Sequence, residues 1–135
     1  MGDVVRLVLA VDPGESRLGL AVSDPTGTVA RPLTTLTHTS RARDAAAIVA
    51  LARSHEATLV VVGVPLDSEG RVGPRARRSL RLVEALRETG SIPVTTWDES
   101  GSTVAARRGP RPDRSLDARA AAVILQDFLN AQANA

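Results

Sequence analysis

Residues 4–24 read VVRLVLAVDPGESRLGLAVSD, two apolar runs separated by a short polar segment. Val4 to Val11 is almost continuously apolar and rich in β-branched side chains, which is typical of a strand buried on both faces. The run ends at Asp12-Pro13-Gly14, and a second apolar run follows from Leu18 to Ser23. We therefore predict two buried strands joined by a short turn, with a carboxylate at the end of the first.

Strands and helices alternate over the rest of the chain. Thr28 to Leu33 follows the turn-forming Asp24-Pro25-Thr26-Gly27, so the first three strands form an antiparallel meander. The later pattern predicts helix Ser40–His55, strand Leu59–Val64, helix Pro74–Thr89, strand Ile92–Trp97, a weakly helical piece around Ser102–Arg107, and a helix from Ser115 to about Ala131. This order predicts one α/β domain over residues 1–135, a mixed five-stranded sheet flanked by helices.

The composition excludes several kinds of site. Trp97 and Phe128 are the only aromatic residues, so base stacking is not the main way of binding nucleic acid. The chain has no Cys, and neither His38 nor His55 has the spacing of a zinc ligand. The apolar run Leu7 to Val11 is too short to span a membrane and lacks the flanks of a signal peptide. We therefore expect a cytoplasmic protein, without a membrane partner, whose metal site is built from carboxylates.

Four acidic residues come at the ends of predicted elements. Asp12 ends a buried strand, where it is either a functional group or a turn residue that accepts backbone hydrogen bonds. Asp98 and Glu99 follow the last strand, and the twofold alternation of a strand places them on opposite faces. Taken alone, this pair is more typical of solvated acids at the end of a strand than of a functional site.

Asp117 lies in the first turn of the last helix, where a carboxylate also stabilises the helix dipole. Ala121, Ile124 and Phe128 lie on the same face of this helix and should face the core. An acidic side chain at the start of such an apolar face indicates that Asp117 has a charged or hydrogen-bonding partner. Carboxylates converging from two strands and a helix can bind Mg²⁺ or Mn²⁺. Two such ions can activate water and stabilise the leaving oxygen in phosphodiester hydrolysis.

Four ordered segments of the chain resemble the YqgF/RuvX family. These segments are Leu9–Gly14 with Arg17–Asp24, Val61–Leu66 followed by Gly70, Trp97–Glu99 followed by Ser102-Thr103, and Leu116-Asp117 with Ala120–Leu129. The resemblance implies a ribonuclease H-like fold and an acidic site of Asp12, Glu99 and Asp117, serving as catalytic residues and as ligands of two Mg²⁺ or Mn²⁺ ions. Ser100-Gly101 departs from the family, which usually has Arg and an apolar residue at these positions.

Arginine is crowded in two places that suggest nucleic-acid binding. Arg75, Arg78 and Arg81 lie in the N-terminal half of the second helix, where positive charge opposes the helix dipole and a bound anion would offset that penalty. Arg107 and Arg108 belong to a second basic run near the expected acids. The alternative is a solvated basic surface, since all 17 basic side chains of this chain are arginine.

The resemblance implies a metal-dependent nuclease, a hydrolase that processes the 5′ end of pre-16S ribosomal RNA and contacts the ribosome. One alternative is a Holliday junction resolvase, which would use the same acids on branched DNA and would normally act as a homodimer rather than a monomer. Another is a non-catalytic factor that binds RNA or the ribosome, an alternative that the Ser100-Gly101 segment keeps open. A nucleotide-binding function of the turn after Asp12 is less favoured, because such proteins close two domains over the nucleotide.

Overall fold

The computed structural model describes residues 7–99 and 114–134 of the chain. These residues form five strands and three helices. In chain order they are β1 (Leu7–Pro13), β2 (Arg17–Ser23), β3 (Ala30–Thr37), α1 (Arg41–Ser54), β4 (Ala57–Val64), α2 (Pro74–Glu88), β5 (Val94–Asp98) and α3 (Arg114–Ala133). None of the helices in these ranges is long and apolar enough to cross a membrane.

The five strands form one mixed sheet in the order β3-β2-β1-β4-β5. β1 pairs with β2 and β2 with β3 in antiparallel fashion, whereas β4 lies parallel to both β1 and β5. This confirms the predicted α/β class and the antiparallel meander of the first three strands. Because β1, β4 and β5 run in the same direction, their carboxyl ends meet at one edge of the sheet.

Each face of the sheet carries its own hydrophobic cluster. Leu9 and Val11 of β1 belong to the cluster that α1 and α2 cover, which also contains Ile48 and Leu86. Val8 and Ala10, the alternate residues, belong to the cluster beneath α3. On this second face the rings of Trp97 and Phe128 meet edge to face, with 5.9 Å between their centroids. The continuous apolar runs of β1 and β4 therefore reflect strands covered on both sides.

The observed strand boundaries differ from the predicted ones: β4 begins at Ala57 rather than Leu59, β5 spans Val94–Asp98 rather than Ile92–Trp97, and β1 and β3 differ in ways that bear on the site. β1 continues to Pro13, so Asp12 lies inside the sheet and is paired with Gly19 rather than following the strand. β3 begins at Ala30 and reaches Thr37, because pairing with the whole of β2 extends it beyond its apolar part. The prediction ended the strand at Leu33 because it used only the local pattern of apolar residues, which does not show how far one strand pairs with another.

Some of the predictions concern residues beyond the described ranges. The helical piece around Ser102–Arg107, the Ser100-Gly101 segment, and Arg107 and Arg108 all lie outside them, as do residues 4–6 of the first predicted strand. The predicted helices do match: α1 begins after the N-cap Ser40, whose side chain accepts a hydrogen bond from Arg43 N, and α2 begins at Pro74.

Candidate active site

Asp12 lies on the face of the sheet that α3 covers. It follows Val8 and Ala10 at two-residue intervals, and both of these contact the cluster beneath α3. Only 2% of Asp12 is exposed. The same face of the neighbouring strands carries glycine, with Gly19 paired to Asp12 on β2 and Gly63 one residue beyond the Val11–Val62 pair on β4. A buried carboxylate is therefore flanked by two positions without side chains.

The first glycine lets α3 reach the sheet. A Cβ atom at Gly19 would lie 1.8 Å from the backbone oxygen of Asp117. The N-terminal turn of α3 consequently rests directly on β2, and this contact brings Asp117 to the strand that pairs with Asp12. Asp117 and Asp12 are thus neighbours in space although they lie near opposite ends of the sequence.

Arg17 at the start of β2 holds the side chain of Asp117. Its Nε atom lies 2.9 Å from Asp117 Oδ2, and both side chains are mostly buried. The Oδ2 atom is buried, with this ionic partner and no hydrogen bond. The carboxylate is therefore oriented by charge and retains the capacity to accept a further donor or a cation.

The second glycine accommodates Glu99. A Cβ atom at Gly63 would lie 2.9 Å from Glu99 Oε1 and 2.7 Å from Ile124 Cδ1, which places the Glu99 carboxyl over β4 and beside α3. The backbone N–H of Glu99 donates to the Val64 carbonyl at 3.1 Å. Asp98 belongs to the opposite face and is exposed. The predicted alternation of this pair is therefore observed, with Glu99 on the face of Asp12.

The surroundings of Glu99 disfavour its charged form. Burial raises the pKa of the Glu99 carboxyl from 4.5 to about 7; the negative charge of Asp98 adds to the rise, and the Arg75 guanidinium opposes it. Its Oε2 atom is buried without a hydrogen-bond partner. A nearby cation would stabilise the ionised carboxylate at neutral pH.

The donor set fits a hard divalent cation. Asp12, Glu99 and Asp117 supply only carboxylate oxygens, the ligands that Mg²⁺ and Mn²⁺ prefer, and two of these side chains keep a buried oxygen without a hydrogen bond. Within residues 7–99 and 114–134, no group of three or more His, Cys, Asp or Glu side chains is close enough to hold a metal ion. With these side-chain positions, Arg17 holds Asp117 and Glu99 packs on Gly63, so coordination by all three requires the carboxylates to move.

The predicted nucleic-acid-binding arginines of α2 face different surroundings. Arg75 is exposed and lies close enough to Glu99 to lower the pKa of that carboxyl. Arg78 is half-buried and faces the turn after β1, and Arg81 lies in the groove between α1 and α2. They do not form one uniform stripe.

Two glycines in buried strands signal the site, and the sequence predictions did not include them. Gly19 and Gly63 each interrupt such a strand, and a glycine there commonly marks the close approach of another group. The Arg17–Asp117 ion pair and the pairing of His38 with Asp44 were not predicted either. Spacing along the chain carries no information about these two contacts.

Comparison with known proteins gives consistent matches over nearly the whole chain. The model of the RuvX family, described as Holliday junction resolvase, matches residues 6–131. A relative from Roseiflexus sp., named "Putative pre-16S rRNA nuclease", is 41% identical over 133 residues, which is 93% of this chain and 94% of the relative. A relative of the same name from Thermoanaerobacter pseudethanolicus is 34% identical over 136 residues, 94% of this chain and 98% of its own length.

Solved structures show the same architecture. RuvC of Thermus thermophilus in complex with a Holliday junction substrate has a TM-score of 0.58 and 21% identity, covering 95% of this chain and 96% of its own. The fowlpox virus Holliday junction resolvase has a TM-score of 0.55 and 12% identity, covering 93% and 99%. At these identities the likeness concerns the fold alone, which is the predicted ribonuclease H-like fold.

Proposed function

Since this chain belongs to the RuvX family, we propose that it is a nuclease that hydrolyses phosphodiester bonds in a structured nucleic acid, with Asp12, Glu99 and Asp117 as its catalytic acids. Its substrate would be the 5′ end of the pre-16S ribosomal RNA, in the cytoplasm and in contact with the ribosome. The names of the relatives support this choice of substrate.

One observation carries the proposal. Three carboxyl groups from β1, the end of β5 and the start of α3 lie on the same face at one edge of the sheet, and glycines open the space between them. Glu99 and Asp117 each bury an oxygen without a hydrogen bond, which is unfavourable unless a cation or substrate compensates for it. A purely structural role explains neither the unpartnered Glu99 Oε2 nor the glycine beneath it.

Asp12, Glu99 and Asp117 would hold the Mg²⁺ or Mn²⁺ ions. Ions held by these residues would supply activation of a water molecule and neutralisation of charge on the leaving oxygen. The chain itself supplies the positioning. Pairing in the sheet fixes Asp12, contact with Gly19 fixes the backbone of Asp117, and Arg17 orients the Asp117 carboxylate.

Cleavage of a branched DNA is the second candidate function. The description of the family model, Holliday junction resolvase, favours it. The two functions make different demands on assembly, because symmetric cutting of a junction requires a homodimer whereas trimming of an RNA end does not. Two measurements therefore distinguish RNA trimming from junction cleavage. One is the oligomeric state, measured by light scattering in the presence of each substrate, and the other is competition between the two substrates for binding.

The decisive experiment is a cleavage assay with labelled precursor RNA and labelled four-way DNA junctions in Mg²⁺, Mn²⁺ or EDTA. We expect cleavage of the RNA that requires the metal ion and is lost in Asp12→Asn, which preserves shape and removes a ligand charge. Because loss of a supporting group around a metal already lowers activity 10–100-fold, loss of a ligand should reduce it by more than about a hundredfold.

Circular dichroism of Asp12→Asn provides the control, since the variant must keep the fold. A folded variant that cleaves like wild type would refute the assigned site. Wild-type binding of RNA without cleavage under any metal condition would instead support a non-catalytic binding factor.

A further inference from the structure

A small pocket lies on the other side of the turn that follows Asp12. Its walls come from that turn at Gly14, from the first turn of α1, which contributes Arg41, and from the second turn of α2, which contributes Arg78. His38, at the end of β3, and the buried Asp44 of α1 complete it. Its apolar floor belongs to the hydrophobic cluster under α1 and α2, so the pocket is separate from the acids beneath α3.

Hydrogen bonds tie this pocket to the turn that follows Asp12. The backbone N–H of His38 donates to the Ser16 carbonyl at 2.9 Å, and the N–H of Gly14 donates to the Arg17 carbonyl at 2.8 Å. A ligand in the pocket would therefore lie at a constant position relative to Asp12.

The buried acid of the pocket is already satisfied. Asp44 accepts a hydrogen bond from the N–H of Thr39 at 3.1 Å and pairs through its other oxygen with Nδ1 of the His38 ring. A carboxylate at Nδ1 requires a proton on that nitrogen, which leaves Nε2 as the nitrogen available to a ligand. Asp44 thus orients the His38 ring. The carboxylate of Asp44 is already bonded to His38 and to the N–H of Thr39.

The two arginines of the pocket, Arg41 and Arg78, have no ion-pair partner among residues 7–99 and 114–134. Glu15 also lines the pocket, but its exposed carboxylate is screened by water and salt. Two guanidinium groups converging on one pocket match the geometry of a phosphate, which accepts paired N–H donors.

The first turn of α2 precedes the residues Arg78 and Leu82 by which this helix lines the pocket. The N-cap of α2 is Gly73, which makes no side-chain capping bond, and the first turn contains no acidic residue. The charge of Arg75 in this first turn acts on the carboxyl of Glu99, so an acid already lies near this end of the helix. A bound anion in the pocket would instead offset the charge of Arg78, one turn farther along.

We propose that this pocket binds one phosphate group of the nucleic-acid backbone through Arg41 and Arg78, with His38 as a third contact. The inference rests on the proposed function and extends it. The bound phosphate lies beside the scissile phosphate in the nucleic-acid backbone, and its position in the pocket determines where the scissile phosphate lies relative to the acids. The shared chemistry is that of a phosphate anion, so a free phosphate or a nucleotide is the competing ligand.

The test compares two double variants of equal charge. Arg41→Gln with Arg78→Gln removes the pocket arginines, and Arg43→Gln with Arg77→Gln removes exposed arginines from the same two helices. Affinity for fluorescent RNA and for a four-way DNA junction is measured in EDTA, so that cleavage does not interfere. Thermal unfolding verifies that each variant is folded.

We expect the pocket variant to bind about five- to eightfold more weakly at 0.1 M salt, because each neutralised phosphate contributes a salt slope of about 0.7–0.9. Its slope should fall by that amount, and the matched variant should change less in both respects. Equal losses in the two variants would overturn the pocket and leave a diffuse basic surface. No binding by the wild type would refute the proposed function itself.

A second measurement distinguishes a backbone phosphate from a free one. Single neutral methylphosphonates are placed along a substrate that the wild type cleaves, and we expect one position to weaken wild-type binding but not binding by the pocket variant. Inorganic phosphate and a mononucleotide are tested as competitors. If they protect the wild type against unfolding through Arg41 and Arg78 while no methylphosphonate position has an effect, the pocket binds a free anion and the proposal is wrong.

Discussion

Glu99 shows most directly how the surroundings of one residue prepare it for a ligand. Its carboxyl lies over a glycine, one of its oxygens has no hydrogen bond, and burial raises its pKa to about 7. Asp98, its neighbour in sequence, is exposed on the other face. The two adjacent acids differ in burial because successive side chains of a strand point to opposite faces of the sheet. We therefore expect different effects from substituting each of them.

Glu99→Gln should lower cleavage by about a hundredfold or more, whereas Asp98→Asn should retain most activity, since only the first change removes a carboxylate from the face of Asp12. The rates of both variants at saturating Mn²⁺ provide the comparison. The reverse result would mean that the register of β5 is shifted by one residue.

The raised pKa of Glu99 also predicts how stability depends on pH without added metal. A carboxyl whose pKa is higher in the folded state binds its proton more tightly there, so its contribution to stability is complete below pH 4.5 and is lost as the pH rises through about 7. The free energy of unfolding, measured with urea in EDTA, should therefore decline more for wild type than for Glu99→Gln between about pH 5 and pH 8. Parallel curves for the two proteins would contradict the assigned pKa.

At the scale of elements, the docking of α3 onto β2 determines where the third acid lies. The helix backbone at Asp117 touches Gly19, and farther along α3 the side chain of Gln126 accepts a hydrogen bond from Ala30 N and donates one to the Thr28 carbonyl, both at 2.9 Å. These contacts hold the helix at two points along the sheet. Its first turn has little freedom to shift without moving the Asp117 carboxylate.

Gly19→Ala should therefore reduce both stability and activity. The new Cβ atom would overlap the helix backbone, and such overpacking commonly destabilises a protein by about 1–3 kcal/mol. Urea denaturation and the cleavage rate measure the two effects. Gly73→Ser is the matched control, because a Cβ atom there meets nothing within 4 Å and serine is favoured at an N-cap. Equal behaviour of both variants would argue against close docking of α3.

At the scale of the whole molecule, one edge of the sheet collects the proposed chemistry. The carboxyl ends of β1, β4 and β5 lie there, and so do the first turns of α1 and α2 that follow β3 and β4. The acids occupy the α3 side of this edge, and the Arg41–Arg78 pocket occupies the other side. A nucleic acid that crosses the edge would therefore meet both.

Divalent ions should stabilise the entire fold, because a ligand that binds only the native state shifts the unfolding equilibrium. At ten times its dissociation constant an ion adds about 1.4 kcal/mol, or roughly 4–7 °C in the midpoint of unfolding for a protein of this size. The midpoint with and without Mn²⁺, measured by scanning calorimetry, should move in wild type and much less in Asp12→Asn and Asp117→Asn. An equal rise in all three would place the ion elsewhere.

The periodicity of the sequence predicted the element types, the α/β class and the opposite faces of Asp98 and Glu99, while the family resemblance selected Glu99 as the site acid. The element types and the two faces follow from periods of two and 3.6 residues, which a side chain's neighbours along the chain establish. Alternation was sufficient to separate Glu99 from Asp98, and the column of α3 was sufficient to turn Asp117 toward the core. Both conclusions needed only local geometry.

Contacts between residues far apart in the sequence depend on tertiary packing. Arg17 reaches Asp117 and Gly63 lies beneath Glu99, and both contacts depend on how helices and strands pack on the sheet. The length of β3 was decided in the same way, by its pairing with β2. Packing depends on how many side chains fit together at once. The spacing of residues along the chain therefore does not predict which of them come into contact.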